Sequence, residues 1–243
     1  MIRIRNLYKS FANKQVLQGV NLEIESGKTI VIIGRSGEGK SVLIKHIVGL
    51  LIPDSGYVEV ENQNVSDLST NELYILRKKF GFLFQGSALF DSMTVEENIS
   101  LPLIESKNGF TKKEIDKIVS EKLELVGLTG IQPLKPSELS GGMKKRVGLA
   151  RALVTNPDYI LYDEPTTGLD PIMSDSIDNL IKELSEKLKV TSVVVTHDMN
   201  SVKNVAHTVA MLSEGIIYFK GTPDELLASK DKTIVNFIKR SGF

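Results

Sequence analysis

The sequence contains no cysteine, which excludes a disulfide framework, a thiolate metal site and a thiol nucleophile. It lacks a charge excess too: 30 Lys and Arg stand against 30 Asp and Glu, for a formal net charge of +0 at pH 7. A protein that neutralises phosphodiester backbones normally carries a basic surplus, so no nucleic-acid partner is expected. Long apolar runs are missing as well. The longest, Ile30 to Ile33 and Val193 to Val195, fall far short of the roughly 20 residues of a membrane-spanning helix. The opening MIRIRNLYKSF alternates as a strand does and has neither the form of a signal peptide nor that of a transit peptide, which argues against export. What is present is ordinary for a globular chain: of 243 residues, 41% are hydrophobic and 25% charged. A chain of this length buries about 70–75% of its unfolded surface.

Patterning divides the chain by rhythm. Ile2 and Ile4, then Val20, Leu22 and Ile24, alternate as β-strands. Thr29 to Ile33 is a continuous apolar run of strand length, closed by Gly34 and followed by a helix expected from Gly39 to Leu50. From about residue 86 to 155 strand alternation disappears. There Ile115, Ile118, Val119, Leu123 and Val126 share a helical face behind a Thr111/Glu114 capping box, with Gly127 as the stop. A further helix is expected from Ser140 through Ala152. After Pro157 the α/β rhythm resumes. Tyr159 to Tyr162 reads as a buried strand, and a helix follows with Asp170 as N-cap and Pro171 at its first position. The core stripe of that helix is Met173, Ile177, Leu180, Ile181, Leu184 and Leu188. Ser192 to Val195 gives the next strand, Thr208–Leu212 and Ile216–Phe219 a hairpin, and Thr222 to Glu225 starts a final helix. The expectation is one α/β unit, with a core from residues 1–85 and 156–243 and a helical insertion over 86–155.

Residues 34–41, GRSGEGKS, match G-x-x-x-x-G-K-[ST] between a strand and a helix. Gly34, Gly37 and Gly39 allow backbone N–H groups to curl around phosphate oxygens, and the helix N-terminus adds its positive end. Lys40 supplies a mobile cation for the β/γ-phosphates and Ser41 a hydroxyl for Mg²⁺. Arg35, Ser36, Glu38 and Val42 complete the loop and its exit. Glu38 puts a negative charge in a phosphate loop; its side chain is expected to point outward. Asp163, at the end of the strand in YILYDEP, can hold Mg²⁺ through water, and Glu164 can polarise a water for in-line attack on the γ-phosphate. Ser140-Gly141-Gly142 opens a helix and could bind an anion, although by itself it is a common helix start. Lys144-Lys145-Arg146 reads most simply as a solvated helix face. His46 and His207 read as structural, and Phe11 alone reads as core.

The ordered set GRSGEGKS, Gln85, LSGGM, LYDEP, GLD at 168–170 and His197 after VVVT resembles the nucleotide-binding subunits of ABC transporters across essentially the whole chain. That resemblance implies a P-loop NTPase core with an N-terminal antiparallel β subdomain and a helical insertion. It also implies roles: Phe11 stacking on adenine with Val16 beside it, and Gln85 sensing Mg²⁺, the attacking water and the membrane partner. Ser140, Gly141 and Gly142 would contact the γ-phosphate held by a second copy, Asp170 would lie across the dimer, and His197 would hold the γ-phosphate. GRSGEGKSVLIK, LFQGSALFDSMTVEENISLPL and PSELSGGMKKR are similar to the ATPase of Mla/MCE-type phospholipid transporters. Arg35 in place of Pro, Val42 in place of Thr and Met143 in place of Gln agree with that subfamily. It implies ATP and Mg²⁺ as cofactors, an ATP-sandwich homodimer, an integral membrane permease, an MCE-domain lipid-binding protein and a possible small accessory subunit. The place implied is the cytoplasmic face of the inner membrane, with the segment 86–104, including Ala88-Leu89-Phe90 and Met93, receiving a permease helix. With about twenty residues after Gly221, the C-terminal regulatory domain of some importers is not expected. An amino-acid importer, a lipoprotein-release ATPase and a soluble ABC ATPase are the alternatives.

Overall fold

A computed structural model describes residues 1–12, 14–106 and 109–241. Strands β1 (Ile2–Phe11) and β2 (Lys14–Ile24) form an antiparallel hairpin that pairs Ile2 with Ile24 and Ile4 with Leu22. Their alternating apolar residues all face inward and are buried. β3 (Thr29–Ile33) runs into the glycine loop and α1 (Lys40–Ile47). β4 (Ser55–Val60) and β5 (Gln63–Asn64) return to the hairpin and complete a sheet of order β2-β1-β4-β5. α2 (Thr70–Arg77) then leads to β6 (Phe80–Leu83). Three helices follow with no intervening strand among the described residues: α3 (Val95–Glu105), α4 (Lys112–Leu125) and α5 (Gly141–Leu153). The remainder is β7 (Tyr159–Asp163), α6 (Pro171–Leu188), β8 (Thr191–Thr196), α7 (Met199–Val205), the β9 (Thr208–Ser213) and β10 (Ile216–Gly221) hairpin, α8 (Pro223–Leu227) and α9 (Lys232–Arg240).

The second sheet has the order β10-β9-β3-β8-β7-β6 and is parallel except for β10. β3 shows why its sequence is apolar without alternation. Ile30 and Ile32 feed a core shared with the antiparallel sheet and α1, while Val31 and Ile33 feed the core under α5, α6, α7 and α9. A strand buried on both faces has no solvent side to encode. In the sheet order β3, β8 and β7 are neighbours, so Gly34, His197 and Asp163-Glu164 emerge side by side at the carboxyl edge, where open α/β sheets bind ligands.

Several expectations shift in detail. α1 stops at Ile47, short of Leu50, because Gly49 adopts a φ of +65° and Arg77 donates to the carbonyls of Val48 and Gly49. The final helix is two pieces, α8 and α9, separated after Leu227. The α6 stripe frays at Leu188, which is 38% exposed where Lys189 turns left-handed. β4, β5, α2, β6 and α3 carry no counterpart in the sequence reading.

Candidate functional site

The glycine loop is held by contacts that only glycine permits. Gly39 has a φ of +102°, and a Cβ there would lie 2.7 Å from Val16 Cγ1. Val16 therefore packs directly on the loop. A Cβ at Gly34 would meet the carbonyl oxygen of Leu212 at 2.5 Å. Phe11 stands at the turn of the same hairpin, paired with Lys14, 43% exposed, with Lys9 Nζ 5.6 Å from its ring centroid. It is not core; its ring is available to a flat partner.

Lys40 is buried, and its Nζ donates to the carbonyls of Gly34 and Arg35 at 2.9 and 3.1 Å. The same ammonium lies 3.5 Å from Glu164 Oε1. Ser41 Oγ donates to Asp163 Oδ1 at 2.7 Å. Burial raises the Asp163 carboxyl above its ordinary range, and the Ser41 hydrogen bond pulls it partly back. A hydroxyl and one carboxylate side by side suit Mg²⁺, which keeps several waters and takes phosphate oxygens for the rest.

Glu164 is the hub. Its backbone is left-handed, with a φ of +49°, and its N–H donates to Val195 O at 2.9 Å. Oε2 accepts from Thr167 Oγ1 at 3.0 Å and pairs with His197 Nδ1 at 2.8 Å. With one oxygen toward Lys40 and the other toward His197, the carboxylate bridges the loop and the end of β8. Gln85, exposed, lines a cavity of about 310 Å³ together with Arg35, Ser36, Glu164 and His197.

Three sequence readings change here. Glu38 folds back: its Oε2 accepts the Arg35 N–H at 2.9 Å instead of pointing outward. This is a local consequence of Arg35, whose N–H needs an acceptor at the mouth of the loop. Lys145 is not on a solvated face. It is 5% exposed, and its Nζ donates to the carbonyls of Gln85 and Glu164, the latter at 3.2 Å. Arg146 likewise turns inward, to Val126 O and to Ser176 Oγ. Thr167, missed by sequence, follows Glu164 by three residues, a spacing at which a hydroxyl can return to the carboxylate.

The remaining candidates sit elsewhere. Ser140 caps α5, accepting from Met143 N at 3.3 Å, and Asp170 caps α6, accepting from Met173 N at 2.9 Å. Ideal Cβ atoms at Gly141 and Gly142 would meet Leu169 and Met173, so the two segments form one surface. Among the described residues no hydrogen bond or ion pair joins that surface to residues 34–42 of the same chain. Val42, half-buried, uses its carbonyl to hold His46 Nδ1 at 2.8 Å. His207 Nδ1 accepts the Thr29 N–H at 3.1 Å, the structural role read for both histidines.

The ABC transporter family profile matches residues 17–167. The intermembrane phospholipid transport system ATP-binding protein MlaF of Haemophilus influenzae is 41% identical over 239 residues, 98% of this chain and 90% of that protein. The methionine import ATP-binding protein MetN of Clostridioides difficile is 40% identical over 98% of this chain and 74% of that protein. Among solved structures, the dimeric ATP-binding cassette MJ0796 bound to ADP and Pi superposes with a TM-score of 0.84 at 36% identity, covering 92% of this chain and 99% of that one.

Proposed function

Because the chain belongs to the ABC transporter family and is an ATPase that couples ATP hydrolysis to transport, we propose that it powers phospholipid movement through an inner-membrane permease, with Glu164 as the base that activates water. The observation that carries the chemistry is the Glu164 carboxylate, 3.5 Å from Lys40 Nζ and 2.8 Å from His197 Nδ1.

In this reading the N–H groups of residues 34–42 and Lys40 bind the β- and γ-phosphates, and Phe11 and Val16 face the base. Ser41 and Asp163, together with Gln85, would hold Mg²⁺, which when bound would supply neutralising charge to the phosphate oxygens. A water beside Glu164 attacks the γ-phosphorus in line, its proton passes to the Glu164 carboxylate, and the β,γ-bridging bond breaks to leave ADP. His197 uses Nδ1 on Glu164, which leaves Nε2 to face a γ-phosphate oxygen. Ser140, Gly141, Gly142 and Asp170 serve the site of a second copy. Their separation from the chain's own loop supports this.

The permease is supported by a groove of about 550 Å³ between α2, β6, α3 and α5, lined by Tyr74, Phe82, Phe84, Phe90, Leu101 and Pro102. Phe82 and Phe84 stack at 4.1 Å, and Phe90 is 49% exposed. Such a groove accepts an apolar helix face. No helix among the described residues is long and apolar enough to cross a membrane. In this reading the chain sits on the cytoplasmic face of a membrane-embedded partner. Phospholipid as cargo, the MCE-domain partner and an accessory subunit rest on the similarity to the phospholipid transport relative and on the motif stretches.

Glu164→Gln should keep ATP binding and lose about 10²–10⁴-fold in turnover; full turnover in that variant refutes the base. ATP hydrolysis by the reconstituted complex should rise with phospholipid and not with methionine. The opposite pattern makes the chain an importer subunit.

A further inference from the structure

We propose that Lys145 is a positioning residue for hydrolysis: from α5 it fixes the backbones of Gln85 and Glu164, which flank the attacking water in the reading above, on which this inference rests. Its Nζ donates to both carbonyls from a site that leaves only 5% of the residue exposed. A lysine ammonium is placed in such a site at a cost unless its donors are used. Here two are used on the same pair of residues whose side chains line one cavity. Burial lowers the Lys145 pKa, and the charges of Glu164 and Asp163 push it back up.

The effect on Glu164 is specific. Its left-handed backbone is uncommon for a side chain of this kind. Val195 O holds its N–H and Lys145 holds its carbonyl, so the peptide units on either side are both anchored. Gln85 is anchored at its carbonyl alone. Just beyond it Ser87 and Ala88 also have positive φ, +61° and +47°, and their carbonyls accept from Arg151 at 2.7 and 2.8 Å. Lys145 and Arg151 belong to one helix, and that helix begins at Ser140-Gly141-Gly142. The segment that meets the second copy and the two residues around the water are thus one mechanical piece, joined at the Lys145 ammonium. Lys145 touches no reacting atom; it acts through Gln85 and Glu164.

The test compares steady-state ATP hydrolysis and ATP affinity for the full chain as wild type, Lys145→Met and Lys145→Arg, with melting temperatures alongside. Lys145→Met keeps the length and loses the donors. It should lower kcat by about tenfold to a hundredfold, with the ATP dissociation constant unchanged within about twofold. Lys145→Arg, which keeps cationic donors, should recover at least about a third of the lost rate. A methionine variant with wild-type kcat overturns the proposal. So does a parallel loss of affinity, melting temperature and rate, which would mark a packing residue, and so does an arginine variant no faster than the methionine one. A wild-type chain without ATPase activity would instead overturn the hydrolytic reading itself.

Discussion

Asp178 shows what one buried group does to the pH dependence of the whole. It is 0% exposed on α6, accepts from Ser201 Oγ on α7 at 2.8 Å with Oδ2, and leaves Oδ1 without a partner. Burial pushes its pKa up to about 7; the Ser201 bond opposes that, and Asp198 and Asp175 add to it. A raised pKa means the folded chain binds the proton more tightly than the unfolded one. The site therefore favours folding fully below about pH 4, and that contribution fades as pH climbs to 7. At 1.36 kcal/mol per pKa unit, ionisation costs of order 4 kcal/mol above pH 7. Asp178→Asn should raise the melting temperature at pH 8 and leave it unchanged near pH 4; an equal shift at both pH values would contradict a buried carboxyl. The sequence hides such residues. Asp178 sits beside Ile177 and one turn from Ile181, but a helical wheel does not tell a lone acid at the stripe's edge from a solvated one. Lys145 was hidden the same way, inside a run of three cations. The loop glycines, Lys40, Ser41, Asp163 and Glu164 were legible because their spacing is dictated by a phosphate, not by neighbours distant in sequence.

Elements were legible in proportion to how strongly their own residues repeat. β3, β7 and β8 stand out as apolar runs, and α4 and α6 as long amphipathic helices with capping residues. β6 is four residues long with Gly81 inside it, where a Cβ would strike Ala152 O at 2.4 Å, so packing and not pattern makes it a strand. α3 contains Pro102, which breaks the pattern, although its Thr94/Glu97 capping box is a local signal that marks the start. What holds the segment before α3 is Asn98. Fully buried, it accepts the Phe90 N–H at 2.8 Å and donates to the carbonyls of Phe90, Met93 and Thr94 at 3.1, 3.3 and 2.9 Å. Asn98→Ala would leave the Phe90 N–H and the Met93 carbonyl unpaired, while the Phe90 and Thr94 carbonyls keep the main-chain N–H groups of residues 93 and 98; each buried unpaired group costs about 1–3 kcal/mol. The expected result is a lower melting temperature and faster hydrogen exchange over residues 88–94, with ATP affinity intact because the loop at 34–42 is untouched. Unchanged exchange there would show that the turn is held by something other than Asn98.

Across the molecule as a whole, the candidate residues lie on two surfaces. The loop, Glu164 and His197 gather at the carboxyl edge of the parallel sheet, while Ser140-Gly141-Gly142 packs on Leu169 and Met173 beside Asp170. Ile172, on the first turn of α6, is 81% exposed on that second surface. If the second surface completes the site of another copy, a bulky cation at Ser140 leaves the first surface whole and ruins the assembly. Ser140→Arg should then bind ATP as tightly as the wild type does, since no residue of the loop moves. It should show no ATP-dependent increase in mass by light scattering, even in a Glu164→Gln background that cannot turn over the nucleotide. Its turnover should fall to that of Glu164→Gln. Were the variant to hydrolyse ATP normally, Ser140-Gly141-Gly142 would lie away from the reacting phosphate and one copy would suffice. Weakened binding to the isolated chain would place Ser140 at its own loop and overturn the division between the two surfaces.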